Sequence, residues 1–208
     1  MKIVLFGANG RVGRLVLEEL LARGHEVRAF VHGDIDTQHP KLEIVTGDIY
    51  QINKIIEAIE GMDVIMSTLG SWGTKKKDIL STAMATIIPA MKANGQTRII
   101  SLTGTAAHLP HEMAGPLAIF DRMLLKRIDK KILADGENHL KLLAESDLDW
   151  TVLRSPIMNN KGDAAKYKLT KRFTLPFATV NRKSVALAMV DIAEQNTWSQ
   201  KAPCIHRA

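Results

Sequence analysis

The sequence predicts an α/β fold: a doubly wound, mostly parallel sheet with a small C-terminal substrate lobe. Three observations point there. Short apolar runs alternate with longer helical patterns from the first residues to Arg154. The helical patterns stop at glycines, as at Gly24 and Gly95. Past Arg154 the rhythm loosens into a polar stretch, Asn159-Asn160-Lys161-Gly162. Alternating strands and helices build a parallel sheet covered on both faces.

The predicted strands are Lys2–Phe6, Glu26–Phe30, Leu42–Val45, Asp63–Ser67, Arg98–Leu102 and Trp150–Arg154. Helices are predicted over Arg11–Arg23, Ile52–Ile59, Ile79–Ala93, one long stretch near Leu117–Ala144, and Lys183–Gln195. In the first helix Val12, Leu15, Val16 and Leu20 share a stripe, with Glu18 and Glu19 expected to face away. Pro89 should kink or re-anchor the third helix, because proline lacks the N–H its turn needs. The 208 residues suit one domain spanning 1–208, with 155–208 forming the lobe.

Composition narrows the function. Hydrophobic residues make up 46% and charged residues 24%, ordinary for a globular protein. No apolar run approaches the ~20 residues a membrane span needs. No signal peptide is evident, so a cytoplasmic protein with no membrane partner is expected. Cys204 is the sole cysteine, which excludes an intrachain disulfide and a thiolate-rich metal cluster. No His, Cys and carboxylate set has metal spacing. The net charge is +6, yet aromatics are only 5%. A nucleic-acid patch would interleave basic residues with more stacking aromatics, so no nucleic-acid partner is expected. There is no Gly-x-Ser-x-Gly elbow.

The most informative segment is Ile3-Val4-Leu5-Phe6-Gly7-Ala8-Asn9-Gly10-Arg11-Val12-Gly13. It reads strand, turn, helix. Gly7 permits the tight turn, Gly10 lets a pyrophosphate approach the backbone, and Gly13 lets the helix pack closely. Free N–H groups at the helix start, including that of Val12, suit phosphates. The pattern predicts a dinucleotide site on a Rossmann-type fold. Its spacing is G-x-x-G-x-x-G.

That spacing resembles the short-chain dehydrogenase/reductase superfamily, and more narrowly its atypical, NmrA-like branch, which opens with Gly-Ala-Thr-Gly-x-x-Gly. Asn9 replaces the usual Thr. The resemblance runs nearly the whole chain. Gly47-Asp48-Ile49 matches the family's Gly-Asp, where the resemblance implies an adenine contact by Asp48. Ser67-Thr68-Leu69-Gly70 matches the loop lining adenosine and phosphates. Arg98 to Gly104 matches the fifth strand and the active-site mouth. Ser146 to Pro156 resembles "SGLDWTVLRP", with Ser155 inserted before the proline. Ser155, Pro156 and Ile157 are then expected beside the nicotinamide, their backbone holding its carboxamide.

The cofactor reading leans to NADP, with NAD open. The second strand runs to Arg28, Phe30 and His32 rather than to an acid. Arg11, Arg28 and His32 are candidates for the extra phosphate. Asp34 and Asp36 lie close and would repel it.

The superfamily's usual catalytic group is Tyr-x-x-x-Lys with a Ser. The helix before the sixth strand places Ile132 and Gly136 at the Tyr and Lys positions. Tyr167-Lys168-Leu169-Thr170-Lys171 spells the motif in the wrong place, after that strand, and is read as coincidence. Thr103 stands at the first active-site Ser and is the candidate for orienting nicotinamide or relaying a proton; Gly104 replaces the second. His108 and His111 flank the expected substrate mouth. Without the tyrosine, the chain suits acceptors that take hydride with little acid catalysis, such as flavins, quinones or conjugated tetrapyrroles. Within the branch it most resembles flavin reductase/biliverdin-IXβ reductase-like proteins, whose "DHERMLELL" helix matches Asp135 to Leu143. A non-catalytic NAD(P)-binding redox sensor is the alternative; a sugar-nucleotide epimerase or dehydratase fits less well.

Overall fold

The computed structural model describes residues 1–208. Ten strands and six helices follow in the order β1 (Lys2–Phe6), α1 (Gly13–Ala22), β2 (Glu26–Val31), β3 (Leu42–Thr46), α2 (Ile52–Ile59), β4 (Val64–Ser67), α3 (Ile79–Ala93), β5 (Arg98–Gly104), α4 (Pro116–Ile128), α5 (Lys130–Ala144), β6 (Asp149–Ser155), β7 (Ile157–Asn159), β8 (Tyr167–Thr170), β9 (Thr179–Asn181), α6 (Arg182–Glu194) and β10 (Cys204–Arg207).

The main sheet runs β3-β2-β1-β4-β5-β6-β10-β8. Every pairing in it is parallel except β10 with β8. Strand faces alternate as the apolar runs require. Ile3 and Leu5 of β1 pack with α1 and α6, while Val4 and Phe6 pack with α2, α3 and α5. The sheet is therefore doubly wound, as the sequence predicts.

Three differences from the sequence reading have physical causes. The long stretch near Leu117–Ala144 is two helices, because Asp129 leaves the helical conformation and caps α5. Its carboxylate accepts from the N–H groups of Lys131 and Ile132 at 3.0 and 3.2 Å. Glu19 faces inward rather than away, holding Arg23 at 2.8 Å and Lys183 at 2.6 Å. The tail also contributes to the main layer. β8 and β10 extend the sheet and α6 covers it, while β7 and β9 form a separate two-stranded parallel pair. These short strands escape detection because each holds only three or four residues, too few for a periodicity signal. Pro89 lies inside α3, which continues through it as one helix.

The order reverses between β1 and β4. In open parallel sheets the crevice beyond the strand ends at such a reversal is where ligands bind.

Candidate functional site

At that crevice the loops after β1 and β4 interlock. Gly7 has φ +82°, a left-handed turn that an L side chain rarely adopts. A Cβ on Gly13 would lie 2.0 Å from the Gly7 carbonyl oxygen and 2.8 Å from Thr68 Oγ1. Only glycine fits there. Thr68 Oγ1 lies 3.0 Å from the Phe6 carbonyl and 3.2 Å from that of Gly7, and donates to this pair. Asn9 Nδ2 donates to the His32 carbonyl at 3.1 Å, tying the loop to the end of β2. α1 opens at Val12 with no side-chain cap and no acidic residue in its first turn. Its leading N–H groups and positive dipole end thus face the crevice unneutralised. Arg11 is exposed beside them. Gly10, Leu69 and Gly70 complete the rim, and a Cβ on Gly70 would meet nothing within 4 Å. This cradle fits a pyrophosphate.

On the adenosine side, Ile49 is buried and the Asp48 carboxylate accepts from the Tyr50 N–H at 3.1 Å. A Cβ on Gly47 would press into the Phe30 ring at 2.6 Å, which fixes this turn. Lys76 Nζ sits 3.5 Å from the Tyr50 ring centroid, so the loop after β4 is clasped to this turn by a cation–π contact. His32 is 85% exposed, with Nδ1 3.6 Å from Asp48.

Arg28 is a correction. It lies mid-strand, paired with Val4 and Glu43. Its guanidinium donates to Glu43 at 2.7 Å and to the carbonyls of Glu57, Ala58 and Glu60 at 3.0–3.2 Å. Those carbonyls end α2, so Arg28 satisfies a helix C-terminus and is not free for a phosphate.

The nicotinamide side is built on the ends of β5 and β6. Thr103 pairs with Arg154 and Gly104 with Ser155. The Thr105 N–H donates to the Ser155 carbonyl at 3.1 Å. Thr103 and Ser155 are buried, Pro156 is half-buried and Ile157 is exposed. α5 lies across this end. Ile132 and Gly136 are both buried, and a Cβ on Gly136 would stand 3.0 Å from Thr103 Oγ1.

Several polar groups behind this surface are joined by contacts that no spacing in the sequence reports. Asp135 is buried and accepts four hydrogen bonds: from Ser71 Oγ (2.5 Å), Leu80 N (3.1 Å), Ser81 N (2.9 Å) and Ser81 Oγ (2.7 Å). It thereby caps α3 from α5 and anchors the loop next to Gly70. Ser101 Oγ lies 2.8 Å from His139 Nε2. Burial pushes the His139 pKa down to about 4, against a smaller upward pull from Asp135, so its ring is neutral. Arg154 is almost fully buried and forks onto Glu112 at 2.7 and 2.9 Å. Its guanidinium also lies 4.6 Å from the Phe173 ring, against which His108 packs. Burial lowers the His108 pKa too. Glu112 and Phe173 come from loops distant in sequence, which is why spacing alone could not join them. The Asp135-to-Leu143 match, the Ser146-to-Pro156 match and His108 point to the segments involved, but not to their pairing.

Tyr167 sits on edge strand β8, where its hydroxyl donates to Asp191 of α6. Burial and that carboxylate raise its pKa. His111 is exposed, in a left-handed conformation.

Fold and site together define a Rossmann-type dinucleotide-binding protein. The chain belongs to the NAD(P)H-binding family whose model matches residues 7–196. The Bacillus subtilis protein YwnB is 25% identical over 153 residues, covering 74% of this chain and 70% of its own. Among solved structures, a putative epimerase from Bacteroides thetaiotaomicron has a TM-score of 0.83 at 25% identity, covering 99% of this chain and 96% of that one. An anaerobillin reductase from Escherichia coli O157:H7 has a TM-score of 0.79 at 21% identity, covering 100% and 97%. A Veillonella parvula short-chain dehydrogenase/reductase in complex with NADP has a TM-score of 0.79 at 17%, covering 99% and 94%.

Proposed function

We propose that the protein is an NAD(P)H-dependent reductase that passes hydride to a flavin, quinone or similarly conjugated acceptor. The observation that carries this reading is the surface facing Thr103. Where a carbonyl reductase of this superfamily needs tyrosine and lysine, α5 offers buried Ile132 and Gly136. A ketone needs a proton as hydride arrives; a conjugated acceptor spreads the added charge over its ring system, so the enzyme's main task is orientation.

In this reading Gly7, Asn9, Gly10, Arg11, Val12 and Gly13 hold the pyrophosphate. Asp48, Ile49, Thr68, Leu69 and Gly70 line the adenosine. Ser155, Pro156 and Ile157 hold the carboxamide, and Thr103 orients the nicotinamide. Bound there, the reduced dinucleotide supplies the hydride. Arg11 and His32 favour NADP, because Arg11 is permanently charged and exposed. Within residues 155–208, the β7–β9 pair and its flanking loops, which stand apart from the main sheet, supply the acceptor side. The E. coli relative by fold is named an anaerobillin reductase, which accords with a reductase reading of this chain.

NADPH and NADH oxidation with FMN and with a short-chain quinone tests the proposal. Turnover with either acceptor is expected. Tight NADP binding without turnover across a broad acceptor panel would instead establish a non-catalytic redox sensor.

A further inference from the structure

We propose that α4 docks the protein in the plane of an anionic lipid surface. The helix touches the rest of the molecule along one side only. Ala118 is its single buried residue, with Asp121, Arg122 and Leu125 half-buried next to it. At about 100° per residue these four fall within roughly a third of the circumference. The opposite arc carries Leu117, Ile119, Phe120, Met123 and Ile128, exposed by 47% to 64%. Leu124 lies within this arc, between Phe120 and Leu117, and is half-covered.

Cations are interleaved with these apolar residues. Lys126 and Arg127 share the outer arc, and Lys130 and Lys131 follow at the start of α5, all exposed. No carboxylate shares that arc. Asp121 is on the inner side, and Asp129 caps α5 and lies 3.9 Å from Lys77. Lys77 brings the loop after β4 to the same junction, and that loop exposes Trp72 and Lys75.

Single exposed apolar residues need no account; five on one helix face do. An apolar protein groove would cover the side chains but leave four cations without a counterpart. The headgroup region of an anionic bilayer satisfies both, with apolar tips below and long basic side chains reaching the phosphates. No helix of the protein is long and apolar enough to cross a membrane, so the contact is peripheral. It revises the expectation that no membrane is a partner, and it does not depend on which acceptor is reduced.

Flotation with phosphatidylcholine vesicles, with and without about a third phosphatidylserine, tests it in low-salt buffer. Binding is expected only with phosphatidylserine present and should weaken as salt rises. The pair Lys126→Gln and Arg127→Gln should weaken partitioning about thirtyfold, roughly fivefold per charge. The pair Phe120→Asp and Met123→Asp should abolish it while leaving thermal stability and NADPH affinity unchanged. Absence of binding to anionic vesicles overturns the proposal. So does equal binding by the charge variant. A concentration-dependent dimer that Phe120→Asp converts to monomer, without vesicle binding, assigns the face to a second copy instead.

Discussion

Replacing His139 by Gln should flatten the acid side of the stability profile. The folded pKa of His139 is about 4 because its ring is fully buried. In the unfolded chain the ordinary value is near 6.5. Between these values the unfolded state binds a proton that the folded state refuses. The stability this residue contributes is therefore complete above pH 6.5 and is lost as pH falls toward 4. The gap implies a loss of about 2 kcal/mol at pH 5 relative to pH 7.5, rising to about 3 kcal/mol at pH 4. Gln cannot titrate, yet its amide can still reach Ser101 Oγ. Urea unfolding at pH 7.5, 6 and 5 for both proteins isolates the effect, because every other group titrates alike in the two. The difference between them should shrink by about 2 kcal/mol on acidification to pH 5. Parallel profiles would mean that the ring is solvated or protonated in the folded protein, and the neutral Ser101–His139 pair would have to be abandoned.

Gly13→Ala drives a methyl into the Gly7 carbonyl at 2.0 Å. It should cost at least the upper part of about 1–3 kcal/mol and weaken NADPH binding measured by fluorescence titration; unchanged affinity would remove the loop from the site. Asp135→Ala strips two N–H groups of α3 and two hydroxyls of their acceptor. A loss of about 3 kcal/mol is expected, seen as a melting temperature about 10 °C lower. KM for NADPH should also rise, because the Ser71 loop is freed. Arg28→Ala should lower stability but leave the NADPH-to-NADH preference unchanged. A tenfold fall in that preference would restore Arg28 to the phosphate site.

The legible parts of the molecule were those written in local chemistry. The strand, turn and helix around Gly7 to Gly13 need nothing beyond their own neighbours, so the sequence locates them. The same holds for five apolar strands and for helices ended by Gly24 and Gly95. Arg28 was misjudged because sequence proximity to His32 says nothing about direction along a strand. Three residues separate the two, and the guanidinium reaches the end of α2 instead. The break at Asp129 was locally coded, since an aspartate beside lysines can cap a helix, but the apolar pattern on either side concealed it. The Asp135 cluster and the Arg154–Glu112 fork join segments 42 to 64 residues apart. No periodicity reports such a contact.

The relation between Gly136 and Thr103 bears most directly on catalysis. Glycine within α5 costs about 1 kcal/mol relative to alanine in a helix interior. That cost is retained in a buried position whose Cβ would stand 3.0 Å from Thr103 Oγ1 and 3.1 Å from Ala107 Cβ. The helix is thus close enough to Thr103 that even a methyl group must push something aside, and a lysine side chain could not leave α5 here without displacing β5's end. Gly136→Ala separates the two effects. Helix propensity alone predicts a gain of about 1 kcal/mol with unaltered turnover. The packing against Thr103 predicts no net stabilisation, together with a fall in kcat for acceptor reduction while KM for NADPH holds, because Thr103 shifts and the phosphate cradle does not. A stabilised variant with full activity would show that the close approach is incidental and that Thr103 plays no part in positioning the nicotinamide.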